Sequence, residues 1–236
     1  MQDAFVGDIG DYGKYGLLRM VQWAGLSLSV NWYRVVKSQS GKQDDGKYVH
    51  YLCEPEKYRK FDTHLFDTLQ KIVIDENDRR IERIEHSGLL DADFYSTPIP
   101  KERFTWHLQG LAATEESRVV FLDPDNGLET ALMKEKGRCG AEYVAQGELL
   151  DYYNRGQSVI LYQHRPQMMK KADCIKRITD FERTALNADA VQILEFPKFT
   201  NRFYFMFLHE SDKAILEDVC LEMANRWSGI CNRVLL

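Results

Sequence analysis

The chain has no excess of basic charge: its 236 residues carry 31 Lys and Arg against 36 Asp and Glu, a formal net charge of -5. A global electrostatic footprint for nucleic acid is therefore missing, and any phosphate contact would have to come from a local patch. Long apolar runs are missing too. None approaches the ~20 residues that span a bilayer, and the N-terminus lacks a basic region followed by an apolar stretch. The five cysteines, Cys53, Cys139, Cys174, Cys220 and Cys231, form no C-x-x-C pair, which argues against a zinc knuckle or a disulfide framework and suits reduced thiols. No internal repeat or low-complexity tract interrupts the sequence. These absences predict a soluble, cytoplasmic chain forming a single α/β domain over 1–236, with 44% hydrophobic residues to build one core.

What is present centres on Val119-Val120-Phe121-Leu122-Asp123-Pro124-Asp125-Asn126-Gly127. Four consecutive large apolar residues read as a strand buried on both faces. Pro124 cannot donate to a ladder, and Asn126-Gly127 is turn chemistry, so the strand stops there. Asp123 then sits where a parallel strand leaves its sheet, the edge at which open α/β sheets bind ligands. Alternatively, Asp123 only caps the turn.

A second unusual stretch is the head of the chain, Gly7-Asp8-Ile9-Gly10-Asp11-Tyr12-Gly13-Lys14-Tyr15-Gly16, ahead of an apolar helical face that begins at Leu17. Glycines let a ligand approach the backbone, and a loop opening into a helix presents free N–H groups. The segment reads either as a small-molecule cradle or as an entry loop whose Asp8 and Asp11 cap the helix.

Strands are expected at 28–36, 81–84, 93–96, 118–122, 158–162, 190–196 and 203–208, with a further short one at Tyr48 to Leu52. The polar run at 37–47 reads as a loop or lid. Helical spacing covers most of 54–74, 101–113, 143–153, 167–186 and 212–227. Strand 158–162 runs into Gln163-His164-Arg165-Pro166, which again puts a titratable group where an apolar strand ends. The helix after it, carrying Lys170, Lys171, Lys176 and Arg177, is the most basic part of the chain, either a solvated face or a nucleic-acid contact. The last two strands are joined by too few residues for a crossover helix and should pair antiparallel. The expected architecture is an open, mostly parallel seven-stranded sheet with an antiparallel edge strand and helices on both faces.

This Rossmann-like layout resembles that of the S-adenosylmethionine-dependent methyltransferases. The head of the chain is similar to the Gly-Asn-x-Ala-Asp-x-x-Lys-His motif of the J-type adenine-N6 methyltransferases of large-ribosomal-subunit RNA: Gly7, Asp11 and Lys14 match, while Asp8, Gly10 and Tyr15 are substitutions. Asp123-Pro124 matches the first half of that family's Asp-Pro-Pro-Tyr motif, which follows the fourth strand. The resemblance covers two short motifs and the strand order. It implies S-adenosylmethionine held by Gly7, Asp8, Gly10, Asp11, Lys14, Tyr15 and Glu85, the last on the ribose, with Asp123, Pro124, Asp125, Asn126 and His164 receiving an exocyclic amine. A carboxylate accepting that amine's N–H bonds favours the pyramidal nitrogen that attacks a methyl group. Asp125 and Asn126 stand where the family has Pro and a stacking aromatic ring, which leaves Tyr12 or His164 to supply the ring. The glycine-rich turn after the first strand is also absent.

Two other readings stand beside this one, the first on the same residues. Asp8, Asp11, Asp123, Asp125, Glu129 and His164 could converge as ligands for Mg²⁺ or Mn²⁺ in a phosphodiesterase or nuclease. A non-catalytic binding module would instead use a Tyr-rich surface between Tyr143 and Tyr162.

Overall fold

The computed structural model describes residues 1–36, 48–135 and 139–236. The lid expected at 37–47 lies outside the described residues. The helices are α1 (Ile9–Trp23), α2 (Pro55–Tyr58), α3 (Thr63–Gln70), α4 (Ile81–Glu85), α5 (Phe104–Ala113), α6 (Ala131–Glu135), α7 (Gln146–Asn154), α8 (Lys171–Phe181) and α9 (Glu210–Arg226). The strands are β1 (Leu28–Asn31), β2 (Ala92–Tyr95), β3 (Val119–Leu122), β4 (Gly127–Leu128), β5 (Tyr143–Val144), β6 (Ser158–His164), β7 (Ala190–Phe196), β8 (Arg202–Leu208) and β9 (Asn232–Val234).

Seven strands form one sheet in the order β2-β1-β3-β6-β8-β7-β9, and β4 pairs with β5 in a separate ribbon. The pairings β2 to β1, β1 to β3 and β3 to β6 are parallel. The pairings β6 to β8, β8 to β7 and β7 to β9 are antiparallel. A reversed strand therefore lies inside the sheet at β8 as well as at the β9 edge. The short link 197–201 forces this: five residues turn a hairpin but cannot cross back over the sheet.

Pleating sends alternate residues to opposite faces. Val119, Phe121, Ile160, Tyr204 and Met206 join a core with α1, α3, α4 and α9. Val120, Leu122, Val159, Leu161, Phe203, Phe205 and Phe207 join another with α5, α7 and α8. All four residues of β3 are fully buried, as a strand covered on both faces requires.

Several local expectations give way to this packing. Residues 81–84 form the first part of helix α4, so Asp123 follows the third strand of the main sheet in chain order, not the fourth. The expected strand 28–36 stops at Asn31, where the chain turns through Tyr33 at φ 46°, and Tyr48 to Leu52 yields to a 3-10 turn at His50–Cys53. The head of the chain is helical from Ile9, not from Leu17, with Asp8 capping it: the Asp11 N–H donates to Asp8 Oδ1 at 2.9 Å.

Gly10, Gly13 and Gly16 recur every three residues on one face of α1, and a β-carbon on any of them would collide with a side chain. The distances would be 1.9 Å to Arg202 Nη1, 2.6 Å to Phe196 Cδ1 and 2.3 Å to Trp227 Cζ2. These glycines set how closely α1 lies against β7, β8 and the end of α9. Gly16→Ala should therefore lose stability even though alanine is the better helix former: about 3 kcal/mol of overpacking against a rigid indole outweighs about 1 kcal/mol of helix propensity. A net loss near 2 kcal/mol in urea unfolding is expected, and a gain would mean that α1 has room to shift.

Candidate functional site

The parallel strands bring their carboxyl ends to one edge. β3 makes its last ladder bond there, from the Asp123 N–H to Asn31 O at 2.9 Å, and Pro124 prevents the next. The first turns of α1 cross the same edge. Lys14 Nζ consequently lies 2.7 Å from Asp11 Oδ1 and 2.7 Å from Asp123 Oδ2. The second Asp11 oxygen accepts the Tyr15 hydroxyl at 2.9 Å and the Gly7 N–H at 3.2 Å. The head of the chain and the carboxylate leaving the middle of the sheet thus share one buried ionic cluster. Lys14 and Asp123 are 3% and 2% exposed, so the three charges are held without solvent and depend on one another. Burial raises the pKa of the Asp123 carboxyl, partly offset by Lys14 and the amino group of Met1.

A cleft of about 440 Å³ opens over this cluster. On its β3 side lie Asp123, Pro124, Asp125 and Asn126; on its α1 side Asp8, Gly10, Asp11 and Lys14; on its far side Tyr162, His164, Thr200 and Arg202. The loop after β3 is stitched to β6 by Gln163, whose Nε2 donates to Asn126 O at 2.8 Å while its Oε1 accepts the Leu128 N–H at 3.0 Å. The Met1 nitrogen donates to the carbonyls of Trp32, Tyr33 and Asp123 at 2.9, 3.0 and 2.9 Å and lies 3.1 Å from Asp125 Oδ1. His164 makes no side-chain hydrogen bond among the described residues, and burial followed by the Arg202 and Arg165 charges lowers its pKa. It is a neutral ring facing the cleft at pH 7.

Of the residues expected at the site, Gly7 and Tyr15 support the cluster from behind and do not line the cleft. Glu85 ends α4, where its Oε1 accepts the Trp32 Nε1–H at 2.8 Å, and it is not among the residues lining the cleft. Tyr12 is a core residue whose hydroxyl donates to Tyr58 O at 2.8 Å, so it offers no stacking face. Glu129 accepts the Gln146 N–H at 2.7 Å and stands apart. Among the described residues no group of three or more His, Cys, Asp or Glu side chains is arranged to hold a metal ion. On the expected basic face Lys171 pairs with Glu195 at 2.5 Å and Lys176 with Asp180, while Arg177 keeps its charge and donates to the backbone carbonyl Leu128 O at 3.1 Å. Lys170 flanks the start of α8 and lines no part of the cleft. Of the expected Tyr-rich surface, Tyr152 and Tyr153 are buried, Tyr143 is half-buried and Tyr162 lines the cleft. No helix among the described residues is long and apolar enough to cross a membrane.

Sequence reasoning missed Arg202, Thr200 and a stacked pair at the rim, Tyr48 on Phe199 with centroids 4.9 Å apart, and it put Tyr162 on a binding surface where the structure has it lining the cleft. Phe199 holds φ 60°, a strained value for an aromatic residue, and no local pattern announces it. S-adenosylmethionine fits this donor set in part. Its sulfonium and ammonium charges suit the carboxylates of Asp8, Asp11, Asp123 and Asp125, of which only two contact Lys14. Past β1, however, Trp32 and Tyr33 are fully buried where a glycine-rich turn would admit the nucleoside.

No family model matches the chain, and none of the curated proteins is similar enough in sequence to match it. Among solved structures, the crystal structure of protein LPL1258 from Legionella pneumophila, described under family model DUF519, superposes with a TM-score of 0.52 at 11% identity, covering 97% of this chain and 96% of that one. At that identity the likeness concerns the fold alone: the chain has, over nearly its whole length, the mixed α/β architecture of that protein.

Proposed function

We propose that this chain is a methyltransferase-like protein of Rossmann-like fold that binds S-adenosylmethionine and presents an amino nitrogen, of a nucleobase in nucleic acid, to the Asp123 carboxylate. The observation that carries the reading is the Lys14 bridge between Asp11 and Asp123, because it joins the two short motifs on which the resemblance rests. The strand order supports it as well, since β3 lies beside β1 and delivers Asp123 to the carboxyl edge. The bound cofactor would supply an electrophilic methyl group. The chain's own contribution is positional: Lys14 fixes one Asp123 oxygen, Pro124 and Gln163 fix the loop behind it, and neutral His164 faces the cleft from β6. Orientation of this kind is a large part of catalysis where a weak nucleophile must be aligned.

The test is calorimetric and uses charge. If the carboxylates around Asp123 recognise the sulfonium cation, S-adenosylmethionine binds more tightly than S-adenosylhomocysteine, whose sulfur is neutral, by roughly tenfold for one charge-assisted contact. Saturable heat with neither compound would remove the reading. Equal affinity would move the sulfonium away from these carboxylates.

A further inference from the structure

The charges around the cleft are divided by position. The α1 and β3 sides carry Asp8, Asp11, Asp123 and Asp125 around Lys14 and the Met1 amino group, with Glu142 beside Asn126, whereas the β6 and β8 side carries His164 and Arg202. Arg202 is unusual among the buried cations. It is 4% exposed, yet no carboxylate of the described residues lies within ion-pairing distance, its Nε has no hydrogen-bond partner, and its one side-chain bond runs to the Thr200 hydroxyl. Lys14 and Arg19, the buried cations of α1, each contact at least one carboxylate. A guanidinium removed from water without a partner costs stability unless something else satisfies it.

Its position is held by neighbouring elements. β8 pairs with β6 so that Arg202 stands opposite His164, and its Nη1 lies so near Gly10 that a β-carbon there would come within 1.9 Å. The guanidinium is thereby laid against the first turn of α1, where the Ile9 N–H already donates to Tyr48 O at 3.0 Å and the Asp11 N–H to Asp8 Oδ1 at 2.9 Å, so that turn contributes the Gly10 backbone and the helix dipole. The Asp8 carboxylate caps the same turn through its Oδ1; it stays beyond ion-pairing distance of Arg202, although the two charges favour one another. His164 across the strand pair has its pKa lowered by burial and by the Arg202 charge, so it adds a neutral ring nitrogen at pH 7.

We propose that Arg202, the first turn of α1 and the Thr200 hydroxyl form an oxyanion subsite at the β6 and β8 end of the cleft, one that takes a phosphate or carboxylate group of a ligand. The planar fork of an arginine matches either oxyanion through two parallel N–H bonds. As a statement about what the cleft binds, this does not depend on methyl transfer; as a statement about a methyl acceptor, it rests on the reading above.

The experiment therefore omits S-adenosylmethionine. Inorganic phosphate and acetate are titrated separately into the whole chain at constant ionic strength, following the arginine Nε–H resonances and the heat of binding. Saturable displacement of one buried arginine resonance is expected, lost in Arg202→Met, and the tighter of the two anions identifies the oxyanion. Affinity should fall roughly tenfold to a hundredfold in Arg202→Met and less in Arg202→Lys, which keeps the charge but not the fork. Because buried Asp8 draws on the Arg202 charge, Arg202→Met should still fold, with a modestly lowered unfolding midpoint. Anion effects that do not saturate, or equal affinity in Arg202→Met, would overturn the subsite. Loss of folding in both variants would assign Arg202 a structural role and overturn it as well. Failure to bind S-adenosylmethionine would leave these outcomes unchanged.

Discussion

Lys14→Ala is expected to lose about 3–5 kcal/mol of folding stability, the loss typical of removing one partner from a buried ion pair. The cause is not a missing attraction alone. Asp11 and Asp123 would remain under the cleft with no cation between them, and two desolvated carboxylates repel. The loss should depend on pH in a defined direction. Burial by itself would lower the pKa of Lys14, but the two carboxylates outweigh it and the group is raised. Its stabilising contribution is therefore complete below the unfolded lysine value of about 10.4 and is lost only as pH rises through the higher folded value. Between pH 5 and 8 the titration of Lys14 itself adds no pH dependence. Asp123 behaves in the opposite way: its carboxyl is raised by burial, so the folded state holds its proton more tightly than the unfolded chain. Stability from that group grows as pH falls from above the folded value toward about 3.9. With Lys14 gone an influence that lowers Asp123 is gone, and the gain on acidification becomes larger. Urea unfolding from pH 8 to 5 should thus show Lys14→Ala recovering part of its deficit. A variant within 1 kcal/mol of the parent at pH 8, with a parallel pH profile, would mean that water reaches the cluster.

The two halves of this cluster were legible in the sequence to different degrees. Val119 to Leu122 ends in Asp123-Pro124, and a donorless residue after four apolar ones can only mark the end of a buried strand, so Asp123 was placed at the sheet edge from local pattern alone. The hairpin of β7 and β8 was legible for a similar reason, because five intervening residues leave no other pairing. The glycines of the head were misread. Glycine is a poor helix former, and Gly10, Gly13 and Gly16 suggested a loop, whereas Arg202, Phe196 and Trp227 press against that face and only glycine leaves them room. Tertiary packing overrode propensity there, and no reading of residues 7–16 in isolation could find partners some 180 or more positions away. Ile81 to Ile84 was misread because four residues are too few to separate a strand from one helical turn. Arg202 gave no signal at all: a charged residue opening a strand is ordinarily exposed, and its burial follows only from the approach of α1.

Trp227→Ala should lose about 3–5 kcal/mol, the range for deleting a large buried aromatic side chain. The indole is 1% exposed, its ring 4.8 Å from that of Tyr12 and stacked on Phe61 at 5.3 Å. It also stands against Gly16, where an added β-carbon would come within 2.3 Å. That contact makes the two sites antagonistic. In the parent, Gly16→Ala overpacks the indole and destabilises. In the Trp227→Ala background the same methyl group enters the space the indole has left, and only the helix-propensity gain of about 1 kcal/mol and some added burial remain. Gly16→Ala should accordingly change sign, and the interaction energy of the double-mutant cycle should approach 3 kcal/mol, the upper end of what touching residues show. Urea unfolding of the four proteins measures it directly. Additive effects, within about 0.5 kcal/mol, would mean that α1 moves to accommodate the methyl group. The spacing of α1 against the sheet would then be soft, and the placement of Lys14 over Asp123 would have to come from the ionic cluster itself.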